Sequence, residues 1–233
     1  MAVTVLEALG LGREVDAAAG DDDGGAAVGD DAVRLERLGE MLDAIEEARR
    51  DHLLKADHLL HLRCEISYPK LEEAFAGLVD KPGVRLISVM DHTPGQRQFR
   101  DLTKLEAYVK GKHALSDAEF AEHVAQLQAL RAANGARHEA AAVAHAARYG
   151  AVLASHDDTT AEQVAVSGGY GIRLAEFPTT VEAARTCHAH DIAVIMGAPN
   201  LIRGGSHSGN VAAGELADLG FLDILSSDYV PSA

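Results

Sequence analysis

The residues of this sequence that could do chemistry stand at the ends of short apolar runs. They are Glu65, the pair Asp91-His92, the run His156-Asp157-Asp158, Glu176, His207 and Asp228. Each follows a segment that reads as a buried strand. Neutral imidazole and carboxylate together form the ligand set for Zn²⁺, Mn²⁺ or Fe²⁺. If the strand ends converge, His92 and His156 meet the carboxylates Glu65 and Asp228 in one mouth. A divalent ion there would lower the pKa of a water, and the last-strand carboxylate Asp228 could take its proton as general base. Taken singly, each residue has a blander role. A histidine at a strand end can serve as a polar cap, Glu65 can pair with Arg63 or Arg85, and Asp228 can cap a following helix. The metal reading rests on the succession of such residues over several strand ends.

Two loops rich in donors accompany these positions. One is Thr93-Pro94-Gly95-Gln96-Arg97-Gln98-Phe99-Arg100. The other, MGAPNLIRGGSHSGN from Met196 to Asn210, holds four glycines that could let backbone N–H groups converge on an anion. Arg97 and Arg203 offer planar forks for bidentate phosphate contacts, and Ser206 and His207 add side-chain donors. The alternative is a surface loop that uses glycine only to turn. Activated water beside phosphate-binding loops points to hydrolysis of a phosphorylated substrate. The other histidines, His52, His58, His61, His113, His123, His138, His145, His188 and His190, fall mostly on helices or before strands. They read as surface or half-buried polar residues.

The elements that must position these residues alternate. Strands are expected near residues 3–7, 59–66, 84–90, 151–155, 172–176, 192–196 and 221–226. Between them lie an amphipathic helix at 33–50, helices at 71–78, 161–166, 181–189 and 211–219, and a long helical stretch over 102–149. Ser116-Asp117-Ala118-Glu119 has the form of a capping box, so a helix restarts there. Asn134-Gly135 is a candidate second break. Thr179 or Thr180 is the expected N-cap of the helix after residue 180. Strand, polar loop, helix, strand, repeated, implies a parallel sheet with crossover helices. Clustering of polar residues at the strands' C-terminal ends favours a (β/α)8 TIM barrel. The open doubly wound sheet is the alternative, but no GxGxxG follows the first strand.

Composition sets outer bounds. The 233 residues suffice for a sizeable core, and a 47% hydrophobic content suits a globular chain. Aromatics are only 4% and tryptophan is absent, so that core must be mostly aliphatic. A formal charge of -15 argues against nucleic acid or an anionic membrane as partner. It leaves room for an anionic small molecule, because local arginines and a metal outweigh the global field. Cys64 and Cys187 form no CxxC pair and read as reduced cytoplasmic thiols. No apolar run reaches membrane-spanning length. The acidic stretch around Asp21-Asp22-Asp23 reads as a solvated loop.

In this order, HLRCEIS, MDHTPGQRQF, ASHDDTT, AEFPTT, MGAPNLIRGGSHSGN and LDILSSDY closely resemble the phosphonate-metabolism members of the amidohydrolase superfamily. The likeness runs from the first strand to the last residue and weakens in the acidic loop and over 102–149. It implies a metal-dependent (β/α)8 hydrolase with Zn or Mn that acts on α-D-ribose 1-methylphosphonate 5-triphosphate. Such an enzyme releases pyrophosphate and leaves the 5-phosphate for the carbon–phosphorus lyase step. By the same resemblance Glu65 is a bridging acidic ligand, His92 and His156 are the ligand histidines, and Asp228 binds metal and takes the proton of the nucleophilic water. Arg97, Arg203, Ser206 and His207 are expected to hold the triphosphate. Members of the family begin with a small β-sandwich portion and a first barrel strand ending in an HTDN-like motif. Neither is found in this sequence. The expectation is therefore a truncated amidohydrolase-type barrel over 1–233, lacking its first strand and C-terminal part, with open strand edges and an incomplete two-metal site. The expected partner is a small phosphorylated ribose phosphonate, with no nucleic acid, no membrane, and a homodimer as the candidate assembly. Competing readings are an inactive remnant that only binds or joins a complex, and an amidohydrolase acting on a cyclic amide. The Arg- and Gly-rich loops weigh against the latter.

Overall fold

The computed structural model describes residues 2–9, 30–55, 58–78, 83–100, 102–103, 105–106, 116–206 and 209–228. The acidic stretch around 21–23, His113 and His207 lie outside the described residues. The chain divides into two compact units. One is Met1–Val89 with Gln126–Ala151, and the other is Met90–Ala125 with Val152–Ala233.

In the first unit β1 (Ala2–Leu9) pairs in parallel with β2 (His58–Glu65), and β3 (Val84–Met90) is the next strand in order. The helices are α1 (Asp30–Arg50), α2 (Leu71–Leu78) and most of α3 (Asp117–Tyr149). Alternation along β2 puts Leu60, Leu62 and Cys64 on one buried face and His61, Arg63 and Glu65 on the other. On α2 the buried residues Leu71, Ala74, Phe75 and Leu78 recur at helical spacing. Phe75 stacks on the His145 ring of α3, with centroids 4.1 Å apart, and Tyr149 Oη donates to Leu78 O at 2.9 Å. Burial against this stack, and then the Arg148 charge, push the His145 pKa down.

Two histidines expected at the surface or half-buried are buried instead. His138 has no exposed area and its Nδ1 donates to Ile66 O at 2.8 Å. His61 is buried with its Nε2 on Ser88 Oγ. Both are tolerated inside because their polar atoms find partners.

The capping box before α3 is present. Glu119 N donates to Ser116 Oγ at 3.3 Å, and Ser116 N donates to Glu119 Oε2 at 2.8 Å. The Ser116 hydrogen bonds hold the Glu119 carboxyl below its ordinary range. The expected break at Asn134-Gly135 does not occur. Asn134 Nδ2 donates to Leu130 O one turn back at 2.9 Å, and the Arg131 guanidinium lies where a Gly135 side chain would stand. Side-chain cover makes good what these two residues lack in helix propensity.

The second unit repeats strand and helix: β4 (Val152–His156), α4 (Ala161–Gly169), β5 (Leu174–Glu176), α5 (Val181–Ala189), β6 (Ala193–Gly197), α6 (Ala198–Arg203), α7 (Ala213–Asp218) and β7 (Ile224–Ser226). The pairs β4–β5, β5–β6 and β6–β7 are parallel. Strand order follows chain order within each unit, with no switch point in either, as in part of a (β/α) barrel rather than a doubly wound sheet. Ile224 and Leu225 of β7 are exposed. Thr180 caps α5 by accepting from Ala183 N at 3.0 Å, and Thr160 forms a full capping box with Gln163 at the start of α4. Thr160→Ala should lower stability by about 1 kcal/mol, read as a shifted urea midpoint at unchanged slope.

Cys64 and Cys187 are buried free thiols. Burial, and then the charges of Asp158 and Asp223, push the Cys187 thiol up to about 12. Burial likewise raises the Cys64 thiol. No helix among the described residues is long and apolar enough to cross a membrane.

Candidate metal centre

The site grows out of the end of β4. The β4–β5 register sets His156 directly beside Glu176. The chain then turns sharply, because Asp157 and Phe177, the first residues past β4 and β5, both take left-handed backbone with φ of 55°. Their N–H groups donate onward to the neighbouring strand, Asp157 N to Glu176 O at 2.9 Å and Phe177 N to Ile195 O at 3.0 Å. Left-handed backbone is unfavourable for residues with a Cβ and is enriched where side chains are re-aimed for function.

Here the turn aims the Asp157 carboxylate at two imidazoles. Its Oδ2 lies 3.7 Å from His92 Nε2 and 3.6 Å from His156 Nε2. Both distances are too long for a hydrogen bond, and the buried Oδ2 accepts none among the described residues. A buried carboxylate oxygen with no donor is costly, yet Asp157 as a whole is only 3% exposed. The three ligand atoms lie within 4.8 Å of one another, and they form the group among the described residues that could hold a metal ion. Ligands about 2.0–2.2 Å from a tetrahedral ion stand roughly 3.4 Å apart, so the donor set fits a divalent cation of the Zn or Mn type.

The surroundings suit that role. His156 Nδ1 is 3.0 Å from Glu176 Oε2. With Nδ1–H donated to that carboxylate, Nε2 turns its lone pair toward Asp157, which is the arrangement found behind ligand histidines. The His156 ring is held edge-on by Phe177 and stands edge-on to His92, each at 5.3 Å between centroids. Thr93 N donates to Asp91 Oδ1 at 3.1 Å, which turns the chain around His92.

Of the residues expected from sequence as ligands, His92 and His156 are brought together. Asp157 joins them. The sequence places it in the His-Asp-Asp run without a ligand role, and the alternation of a continued strand would point it away from His156. Only the left-handed turn reverses that. Glu65 closes β2 in the other unit, buried, and accepts from Ser67 Oγ at 2.9 Å. Asp228, also left-handed at φ 51°, is exposed past β7, and its carboxylate lies over Gly197. A Cβ on that glycine would stand 2.8 Å from Asp228 Oδ2.

The donor loops differ from expectation. Arg97 NH1 donates to His156 O and to Asp158 Oδ1, both at 2.7 Å. Residues 198–203 are the helix α6 and not loop, with Pro199 in its first turn, where a missing N–H does no harm. Gly205 N donates to Asn200 O and Gly204 N to Leu201 O, which is the Schellman arrangement, and Gly209 N donates to Ser206 O. The glycine N–H groups expected to gather around an anion are therefore spent in ending α6 and turning the chain after it. Arg203 is exposed at the end of α6, Ser206 is half-buried, and His207 lies outside the described residues. Asn200 reaches across to α7, where its Oδ1 accepts from Ala213 N at 2.8 Å and replaces the cap that Ala212 cannot supply.

Comparison with known proteins gives one informative likeness. An alpha-D-ribose 1-methylphosphonate 5-triphosphate diphosphatase of Escherichia coli (strain K12) is 46% identical to the chain over 231 residues. The match covers 98% of this chain and 59% of that relative, so the chain spans about three fifths of the relative's length. No family model matches the chain, and no solved structure matches it.

Proposed function

We propose that this chain is the metal-binding part of an amidohydrolase-type (β/α)8 barrel and that it serves a metal-dependent diphosphatase of phosphonate degradation. The substrate proposed is α-D-ribose 1-methylphosphonate 5-triphosphate, cleaved to pyrophosphate and the 5-phosphate. The observation that carries the reading is the convergence of His92, His156 and the undonated Asp157 Oδ2. The 46% identity to a diphosphatase of that substrate supports this reaction for the site. A cytoplasmic setting accords with the buried free thiols.

His92, His156 and Asp157 would hold a divalent ion, Zn or Mn, with Glu65 and Asp228 as further ligands by resemblance. Such an ion supplies Lewis acidity, drawing charge from a phosphoryl oxygen and making nearby water easier to deprotonate. Glu176 fixes the His156 ring and its tautomer. Asp228 takes the proton of the attacking water as general base. Arg203, Ser206 and His207 take the charge of the triphosphate tail, while Arg97, expected beside them, is turned to His156 O and Asp158 instead.

The reading is tested by pyrophosphate release from the triphosphate, before and after chelation. Activity lost with EDTA and restored by Zn²⁺ or Mn²⁺ is the expected result, and undiminished activity in a metal-stripped protein would end the metal proposal. Arg203→Ala should raise KM for the triphosphate by about tenfold with kcat little changed, as expected when one charge-assisted contact to bound substrate is lost. The same loss with an uncharged analogue would show that Arg203 does not read phosphate.

A further inference from the structure

We propose that Arg97 and Asp158 are positioning residues, a partly buried strut whose task is to hold Asp157 in its metal-facing turn. The inference rests on the metal reading above and extends it to residues that touch neither ion nor substrate.

The strut joins two segments distant in sequence. From the loop after β3, Arg97 NH1 reaches the backbone carbonyl of His156 and the carboxylate of Asp158, at 2.7 Å each. These two acceptors flank Asp157 on either side. The other contacts grip the same tripeptide. Asp157 N donates to Glu176 O, and Thr179 N donates to Asp158 O at 2.9 Å. Ser167 Oγ from α4 stands 3.4 and 3.3 Å from the two oxygens of Asp158.

Within His156–Asp158, then, the chain is fixed before, at and after Asp157, while Asp157 Oδ2 itself has no donor among the described residues. The strain runs the same way. Asp157 and Arg97 both hold left-handed backbone, φ 55° and 49°. Such residues persist only where surrounding bonds over-determine them. A buried Arg–Asp pair is also a poor way to gain stability, since an apolar pair of equal volume often does as well. Asp158 is 1% exposed. Its charge is tolerable because Arg97 meets it, and what the pair yields is direction: Asp157 Oδ2 set 3.6–3.7 Å from two imidazole nitrogens. Both bonds leave one nitrogen, NH1, whose two hydrogens the planar guanidinium holds in fixed directions, whereas a lysine ammonium turns freely on a flexible stem.

The test measures Zn²⁺ affinity by competition with a chromophoric chelator, together with Tm with and without Zn²⁺. The proteins are the wild-type chain, Arg97→Lys, Asp158→Asn and the double variant. Each single change should weaken Zn²⁺ binding by about 10–100-fold, the range for groups behind the ligands. The double variant should be no weaker than the worse single one, because the two act as one device. The Zn²⁺-induced rise in Tm should shrink in all three. A residue that merely supports the fold would lower Tm equally with and without Zn²⁺ and leave affinity unchanged. That result overturns the proposal, as does loss of affinity in Arg97→Lys alone. Should Asp158→Asn not fold, Ser167→Ala replaces it, with a severalfold loss of affinity expected and none overturning. A wild-type chain that binds no Zn²⁺ would defeat the metal reading itself, which is a different outcome from wild-type binding with unaffected variants.

Discussion

On the proposed function, His156→Asn is expected to abolish metal binding and to lower pyrophosphate release by at least about a thousandfold, with the fold intact. The ring does two jobs through two atoms. Nδ1 meets Glu176 Oε2 at 3.0 Å, and Nε2 faces Asp157 Oδ2 at 3.6 Å. An asparagine amide falls near the position of Nδ1 and can keep the Glu176 contact, which limits the structural cost of leaving a buried carboxylate unpaired. It cannot reach the position of Nε2. The loss is therefore confined to the ligand atom, and with it go Lewis acidity and water activation. His156→Gln, whose amide extends to the Nε2 position, should recover part of the metal affinity. The check is metal content by atomic emission alongside turnover. An asparagine variant with full metal content would remove His156 from the ligand set.

The second large effect is expected at Asp228, and it can be reached without touching that residue. Asp228→Asn should lower kcat by about 10²–10⁴ while KM changes little, as for the loss of a general base. Gly197→Ala should act in the same direction to a smaller degree. Gly197 sits at φ -78°, ψ 133°, a conformation alanine adopts freely, so the backbone bears no strain from the change. The added methyl would instead stand 2.8 Å from Asp228 Oδ2 and 3.3 Å from its Cβ, and the carboxylate must move. Small misplacements of catalytic groups are expensive in rate. The double variant should be no slower than Asp228→Asn alone. If Gly197→Ala slows the enzyme while Asp228→Asn does not, the proton acceptor is some other group.

Much of the fold was legible because its signals are local. Strand and helix alternation, the capping box at Ser116 and the helix over 71–78 need only neighbouring residues to be read. Local reasoning failed where a distant group changed the outcome. Asn134-Gly135 would break an isolated helix, but Arg131 and the Asn134–Leu130 bond carry α3 through. The glycines after Arg203 suggested an anion nest, yet Pro199 inside the preceding segment was the sign of a short helix that those glycines terminate. His138 and His61 looked like surface or half-buried polar residues because sequence does not reveal that Ile66 O and Ser88 Oγ are waiting for them.

The candidate site divides in the same way. Residue type and position after a strand were enough to single out His92 and His156, since a parallel β/α chain brings strand ends to one face. Sequence alone could not say that Asp157 completes the group. In an extended strand, residues next to each other point to opposite faces, and only the left-handed turn at Asp157 swings its carboxylate back toward His156. Nor could it show that Glu176, twenty residues on, would be the partner of His156 Nδ1. That depends on the β4–β5 register, and a slip of one residue would have sent Glu176 to the other side of the sheet. Ligand identity is a property of side-chain chemistry and can be read from the chain. Ligand direction is set by backbone handedness and strand register, which hydrogen bonds between remote segments fix only in the folded protein.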